Sequence, residues 1–386
     1  MDLLHRTNVI VRRGPLVLAA SVLLAFSIAQ SSAQRSETIE QAGGHRFAIT
    51  TLATALRRPW SIAFLPDGRL LVTERPGRLS ILEANGAKAV VLKGVPAVAA
   101  LGQGGLLDVV LHPKFADNRL IYLSYSEPGA AGSGTAVARA RLGADALEDL
   151  EVIFRQQPKL RGGRHFGSRL VFLPDGTLLI SMGDRAQRHR AQNLANHQGA
   201  TARIADDGAV PANNPFVGQA DAKPEIFSYG HRNIHGMVRD PKTGIVWAHE
   251  YGALGGDELN QIKRGANYGW PAITYSKNYN GTVISPHTTR QGMEQPVVYW
   301  TPSISPSGLA IYRGDKFPSW QGSLLVGALT PGHLRLLKVE NGKVVAQERL
   351  LERLGQRIRD VRVGPDGLVY VLTDARNGRL IRLEPR

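Results

Sequence analysis

Apolar and polar residues alternate along this chain in short runs, and the runs come in pairs joined by tight turns. In the first pair, Pro59-Trp60-Ser61-Ile62-Ala63-Phe64 passes through Leu65-Pro66-Asp67-Gly68 into Arg69-Leu70-Leu71-Val72-Thr73. Period-two alternation on both sides of a Pro-Asp-Gly turn predicts two antiparallel strands, because successive side chains of a strand point to opposite faces. The pattern returns around His112-Pro113-Lys114-Phe115, Leu173-Pro174-Asp175-Gly176, Asp240-Pro241-Lys242-Thr243-Gly244, Phe317-Pro318 and Pro365-Asp366-Gly367. Its period is loose, roughly 50 to 75 residues, as expected where connecting loops vary in length. A further strand is predicted from His45 to Thr51, and no helical period intervenes between the copies.

An apolar face on each copy needs a neighbouring copy to cover it, so all six belong to one domain. The expected architecture is all-β: a six-bladed β-propeller of four-stranded antiparallel blades over residues 34–386. Arg185 to Pro224 and Tyr275 to Gln295 break the pattern with Asn-, Gly-, Pro- and His-rich sequence. They are read as long loops around the central channel, where a ligand would sit.

Composition changes this picture in three places. Arg12-Arg13, the apolar run from Leu16 to Ala29 and the small residues Ser31 and Ala33 mark residues 1–33 as a signal peptide. A periplasmic or secreted protein with no membrane span is expected, since the run is too short to cross a bilayer. Sec export is expected, because Gly14-Pro15 fits a twin-arginine signal poorly. The absence of cysteine excludes disulfides, thiolate chemistry and thiolate zinc sites. The formal net charge of +15 is spread singly, with no basic run or nucleic-acid motif, so nucleic acid is not an expected partner. Acidic partners or anionic ligands suit it better.

Candidate chemistry follows the repeat. His165 precedes one predicted strand and Asp184 follows the next, so the hairpin between them returns both to one sheet edge, as a base and its orienting carboxylate. Gly102-Gln103-Gly104-Gly105, Arg164-His165, Tyr229-Gly230-His231-Arg232-Asn233 and Arg357-Ile358-Arg359-Asp360 each precede an inner strand. Repeat symmetry brings such positions to one end of the channel, so Gln103, His165, Arg232, Asn233, Arg357 and Arg359 are expected to form a cationic ring with one titratable base. A ligand with several carboxylates or carbonyls would fit it. Arg357 and Arg359, two apart on a strand, would address the same ligand. The glycine-rich loop Glu250 to Asn260 would suit a hard cation such as calcium through carbonyls and carboxylates, or serve as an ordinary turn. No dinucleotide fingerprint and no Gly-x-Ser-x-Gly turn is present.

Together, Gly102-Gln103-Gly104-Gly105-Leu106-Leu107, His165 to Asp184, Ser228 to Asn233, Asp257-Glu258-Leu259-Asn260 with Gly265 to Pro271, and Arg357 to Asp360 resemble the glucose/sorbosone dehydrogenase family, and within it the soluble PQQ-dependent aldose sugar dehydrogenases. The resemblance covers nearly the whole mature chain. It implies a six-bladed propeller, with PQQ over the channel mouth as the oxidant of an aldose substrate. It implies His165 as general base with Asp184 holding the imidazole, and Arg232 stabilising charge on the quinone oxygens. Gln103, Asn233, Arg357, Arg359 and Thr330 would touch the cofactor, and calcium would lie on the carbonyls of Gly252 and Ala253. The electron acceptor is unspecified, and a monomer or homodimer is expected.

The chain departs from the family pattern at three points. Thr330 stands where a cofactor-contacting lysine is usual, no lysine follows Gly199, and Trp300 lies one place from a usual stacking residue. A calcium-dependent propeller lactonase, or a non-catalytic propeller binding a glycan or protein, stands as the alternative.

Overall fold

The computed structural model describes residues 38–386, so the expected signal peptide lies outside the described residues. Six antiparallel sheets of four strands form the blades of a β-propeller, and one blade carries a fifth strand. The innermost strands are Pro59–Phe64, Leu106–Leu111, Leu170–Phe172, Ile234–Arg239, Pro306–Ile311 and Ile358–Val363. Each of the six predicted turns joins an innermost strand to the second strand of its blade.

The ring closes through a long-range pairing. Ile358–Val363, Val369–Thr373 and Gly378–Pro385 are three strands of the last blade, and His45–Leu56 from the other end of the chain supplies the fourth. Thr38–Ala42 adds a fifth by pairing back on His45–Leu56. Phe47 on the closing strand is fully buried and packs edge-on against Phe317 and Trp320 of the preceding blade. Interleaved apolar faces of neighbouring blades form the core throughout.

Five of the six innermost strands slip register near their first residues, between Pro59 and Ser61, Leu106 and Val109, Ile234 and Gly236, Pro306 and Leu309, and Ile358 and Asp360. Such bulges bend a strand and re-aim its side chains. Close approach of the inner strands needs small residues, and a Cβ at Gly308 would lie 2.5 Å from the amide nitrogen of Val361.

An ion network closes the axis. Arg169 is buried, donating to Asp108 at 3.0 Å and Asp360 at 2.7 Å, while Arg362 donates to both carboxylates at 3.0 Å. The guanidinium of Arg169 also lies 4.2 Å from the Trp60 ring centre. Removing one partner from such a set strands the other charge in low dielectric, at a cost of about 3–5 kcal/mol.

One predicted loop is corrected. Residues 185–224 are not one irregular stretch, because Ala200–Ile204 is a fully buried third strand of its blade. Small side chains at Ala200 and Ala202 gave it no strong strand signature. The stretch is thus two loops at opposite ends of the sheet, and the one before Ala200 runs beside His165.

Candidate active site

His165 and Asp184 meet as the hairpin predicts. Nδ1 of His165 lies 2.6 Å from Oδ1 of Asp184, which also accepts the N–H of Ala186 at 2.7 Å. Oδ2 of Asp184 accepts Nε1–H of Trp270 at 2.8 Å. With the aspartate ionised, Nδ1 carries the proton and Nε2 is the basic nitrogen. The backbone is turned sharply to achieve this: φ is +55° at His165 and +54° at Arg185, a region that side chains with a Cβ rarely occupy. Gly183 is required beside them, since a Cβ there would lie 2.2 Å from the His165 carbonyl oxygen.

Burial lowers the His165 pKa, helped by the Arg232 and Arg164 charges and opposed by Asp184. Burial alone would raise Asp184, but the hydrogen bond and charge of His165, the charge of Arg232 and the hydrogen bond from Trp270 together hold it below the ordinary carboxylate value. The pair therefore rests as neutral imidazole and carboxylate at neutral pH, the state a general base needs.

Around the dyad, Gln103 accepts the backbone N–H of His165 at 2.7 Å. Asn233 accepts the N–H of Gly167 at 3.0 Å through Oδ1, while its buried Nδ2 has no partner. Arg232 donates through Nη1 to the carbonyls of Tyr251 and Gly252, at 3.1 and 2.7 Å, and through Nη2 to the Tyr279 hydroxyl at 3.3 Å. Its guanidinium lies 5.5 Å from the Trp270 ring centre. The backbone of Arg232 is anchored from behind by Glu250, which accepts its N–H at 2.5 Å and Nδ1 of His231 at 2.8 Å.

The acidic end of the glycine-rich loop is hydrogen-bonded into the fold. Asp257 accepts the N–H groups of Gly252, Ile304 and Ser305 and the hydroxyl of Ser303, all within 2.9 Å. Among the described residues no three histidine, aspartate or glutamate side chains converge as a metal site.

A cavity of about 450 Å³ opens beside the dyad, lined by Arg58, Arg75, Gln103, Arg357, Arg359 and Asp374 on one part of its wall. His235, Tyr251, Gly252, Ala253, Tyr279 and Thr330 complete much of the rest. His165 and Arg232 do not line it themselves. They adjoin it, His165 through Gln103 and Arg232 through Tyr251, Gly252 and Tyr279.

Arg357 and Arg359 face the same way, since both donate to Oδ2 of Asp374, at 3.2 and 2.9 Å. That one carboxylate is the countercharge for several cations. Arg75 is buried beside Arg359 and Arg58, and burial with these like charges pushes its pKa down to about 10. Nε of Arg359 and Oδ1 of Asp374 are buried without a partner. Two buried cations, Arg75 and Arg359, flanked by the exposed Arg58 and Arg357, with one orphaned donor at Arg359, suit an anionic ligand.

Trp300 lies apart from this cavity. It is buried against Leu309 and Leu324 and donates its Nε1–H to Gln347 at 2.9 Å.

Arg58, Arg75, Tyr251, Tyr279, Asp374 and Trp270 were not singled out as site residues from the sequence. A signal for four of them exists: Arg58 directly precedes the first inner strand, and Arg75, Tyr251 and Asp374 each directly follow the second strand of a blade. Tyr279 comes from a long loop and carries no such mark.

Sequence and structure comparisons point to one family. The family model described as glucose/sorbosone dehydrogenase matches residues 56–382. The aldose sugar dehydrogenase YliI of Escherichia coli is 47% identical over 345 residues, covering 88% of this chain and 93% of that protein. The crystal structure of the soluble aldose sugar dehydrogenase from Escherichia coli in its apo form aligns with a TM-score of 0.86 at 45% identity, over 88% of this chain and 100% of that one. The PQQ-bound aldose sugar dehydrogenase of Streptomyces coelicolor aligns with a TM-score of 0.73 at 29% identity, over 89% and 100%.

Proposed function

Since the chain belongs to the glucose/sorbosone dehydrogenase family, we propose that it is an exported aldose sugar dehydrogenase that works with PQQ. The observation that carries the reading is the His165–Asp184 pair, 2.6 Å apart, beside a cavity walled by Arg58, Arg75, Arg357 and Arg359. PQQ is a tricarboxylate, and the residues present fit it: the arginines are short of countercharge, and Nδ2 of Asn233 and Nε of Arg359 are buried donors without acceptors. Arg357, Arg359, Arg75 and Arg58 would hold its carboxylates, with Gln103, Asn233 and Thr330 as further polar neighbours.

When bound, PQQ supplies a two-electron acceptor for the hydride on the anomeric carbon of the sugar. Nε2 of His165 takes the proton of the anomeric hydroxyl, so that the sugar leaves as a lactone. Asp184 keeps the Nδ1 proton in place and stabilises the imidazolium as it forms. Trp270 and the Ala186 N–H fix the carboxylate in that orientation. Arg232, held from behind by Glu250, presents positive charge next to the base and stabilises negative charge developing in the transition state.

The carbonyl of Gly252 accepts Arg232 at 2.7 Å and keeps a second lone pair, and Ala253 lies on the same cavity wall. These two carbonyls would hold calcium, which would polarise the cofactor as a Lewis acid.

The test is to add PQQ to the purified mature chain and follow reduction of an artificial dye across a panel of aldoses, with and without calcium. Dye reduction that needs both PQQ and an aldose is expected. Absence of PQQ binding by absorbance titration, together with no turnover on any aldose, would overturn the proposal.

A further inference from the structure

Charge is distributed unevenly over this molecule. Beside the wall segment 251–258, which leads into the buried Asp257 and the half-buried Glu258, the segments that carry or contact wall residues include 57–58, 75–77, 99–105, 157–168, 184–193, 351–357 and 374–377. Within the latter stretches the carboxylates are Asp184, Glu352 and Asp374, and the first and last are already committed to His165 and to Arg357 and Arg359. The same segments expose Arg57, Arg161, Arg164, Arg188, Arg353 and Arg376.

Several contacts tie these arginines to the mouth. Arg185 donates to the carbonyls of Leu160, Gly162 and Arg164 and so pins the segment bearing Arg161 and Arg164. Gln103, which lines the cavity, donates its N–H to Gly163. Arg58, also on the cavity wall, donates its N–H to Ala375, next to Arg376. Arg188 donates to Asn278, adjacent to the wall residue Tyr279.

At the other end of the blades the turns carry Asp67, Asp175, Asp207 and Asp366, and Asp67 and Asp175 pair there with Arg69 and Arg203. Two large apolar side chains stand exposed within the basic ring, Leu101 at 65% and Tyr279 at 69%. A charged rim around a few exposed apolar groups is the anatomy of a transient docking face.

We propose that this face docks a small acidic redox protein that takes electrons from the cavity. The inference rests on the dehydrogenase reading above, which requires that two electrons leave after each sugar is oxidised. They would pass one at a time to two oxidised molecules of the partner, and the two protons would go to water. Encounters of this class are small, weak and steered by charge.

The probe is an acidic cytochrome of suitable potential, with a basic cytochrome and a neutral dye as controls. Expected for the wild type is reduction of the acidic cytochrome at a second-order rate that falls about tenfold or more as ionic strength rises from about 0.01 to 0.15 M, since the screening length shrinks from about 30 to 8 Å. The triple variant Arg161→Glu, Arg353→Glu, Arg376→Glu is expected to lose at least about tenfold with the acidic cytochrome at low salt, to gain with the basic one, and to keep dye turnover.

Docking is read separately by surface plasmon resonance on the immobilised acidic cytochrome, wild type against triple variant. That measurement needs no turnover, so loss of dye reduction in the wild type would count against the dehydrogenase reading, and absence of salt-sensitive, variant-sensitive binding would overturn the docking face. Equal reduction rates with acidic and basic cytochromes would overturn it as well.

Discussion

At His165 a single side chain is made basic, oriented and kept uncharged by different neighbours. Asp184 would raise its pKa, but burial and the cations Arg232 and Arg164 prevail, so the imidazole titrates below its ordinary value near 6.5. A base must be neutral to accept a proton. Activity therefore falls only as pH drops through this lowered value, and the acid limb of kcat/KM is expected below pH 6.5. Replacing His165 by Ala should reduce kcat by about 10²- to 10⁴-fold while leaving PQQ affinity within a few-fold, because Gln103 binds only the backbone of His165. A stopped-flow measurement of sugar-dependent cofactor reduction, paired with a binding titration, checks both. Wild-type turnover in His165→Ala, or an acid limb above pH 6.5 in the wild type, would remove His165 from the role of base.

Among the elements, the strand His45–Leu56 carries the most structural consequence, since it joins the two ends of the chain. Phe47 is its anchor, fully buried against Phe317 and Trp320. Phe47→Ala is expected to lower unfolding free energy by about 3–5 kcal/mol in urea, with Val345→Ala on an exposed strand position within about 0.5 kcal/mol of wild type. A loss below 1 kcal/mol at Phe47 would mean that the closing strand is dispensable. The sequence shows where legibility ends. Local alternation and the six turns revealed the inner hairpins, and residues preceding inner strands were read as one site because repeat symmetry places them together. Pairing of His45–Leu56 with Gly378–Pro385 left no local trace, because it depends on the circumference of the whole ring. Arg75, Tyr251 and Asp374 escaped notice for a related reason: they follow second strands, a position considered only for Asp184. Tyr279 and Trp270 reach the site from an insertion that no period governs.

For the molecule as a whole, buried titratable groups set opposing dependences of stability on pH. Burial lowers the pKa values of His235, His249 and His333, to about 3 for His249 and about 4 for His333. Below the unfolded value near 6.5 the unfolded chain binds protons at these positions and the folded chain does not, so stability is lost as pH falls from 6.5 toward 4. Each such histidine removes up to about 1.4 kcal/mol per pH unit in that window. Asp184 and Asp374 are held low, so their contribution is lost only below about pH 4 and does not obscure the histidine slope. Glu258 acts in the opposite sense. Burial and the carboxylate of Glu250 on the adjacent strand push it up to about 8, so from about pH 4.5 to 8 the folded state keeps a proton that the unfolded state releases. Its contribution therefore declines as pH rises through that interval. Below pH 6.5 these histidines, joined by the buried His165, outweigh the carboxyl, and from 6.5 to 8 the slope set by Glu258 remains. Thermal unfolding at constant ionic strength is thus expected to show maximal Tm near pH 6.5, with a steep acid side and a shallow alkaline side. Glu258→Gln should flatten the alkaline side between pH 6.5 and 8, and His249→Gln should reduce the acid slope, whatever either change does to Tm at the maximum. Unchanged slopes in both variants would place the pH dependence elsewhere than in these buried groups.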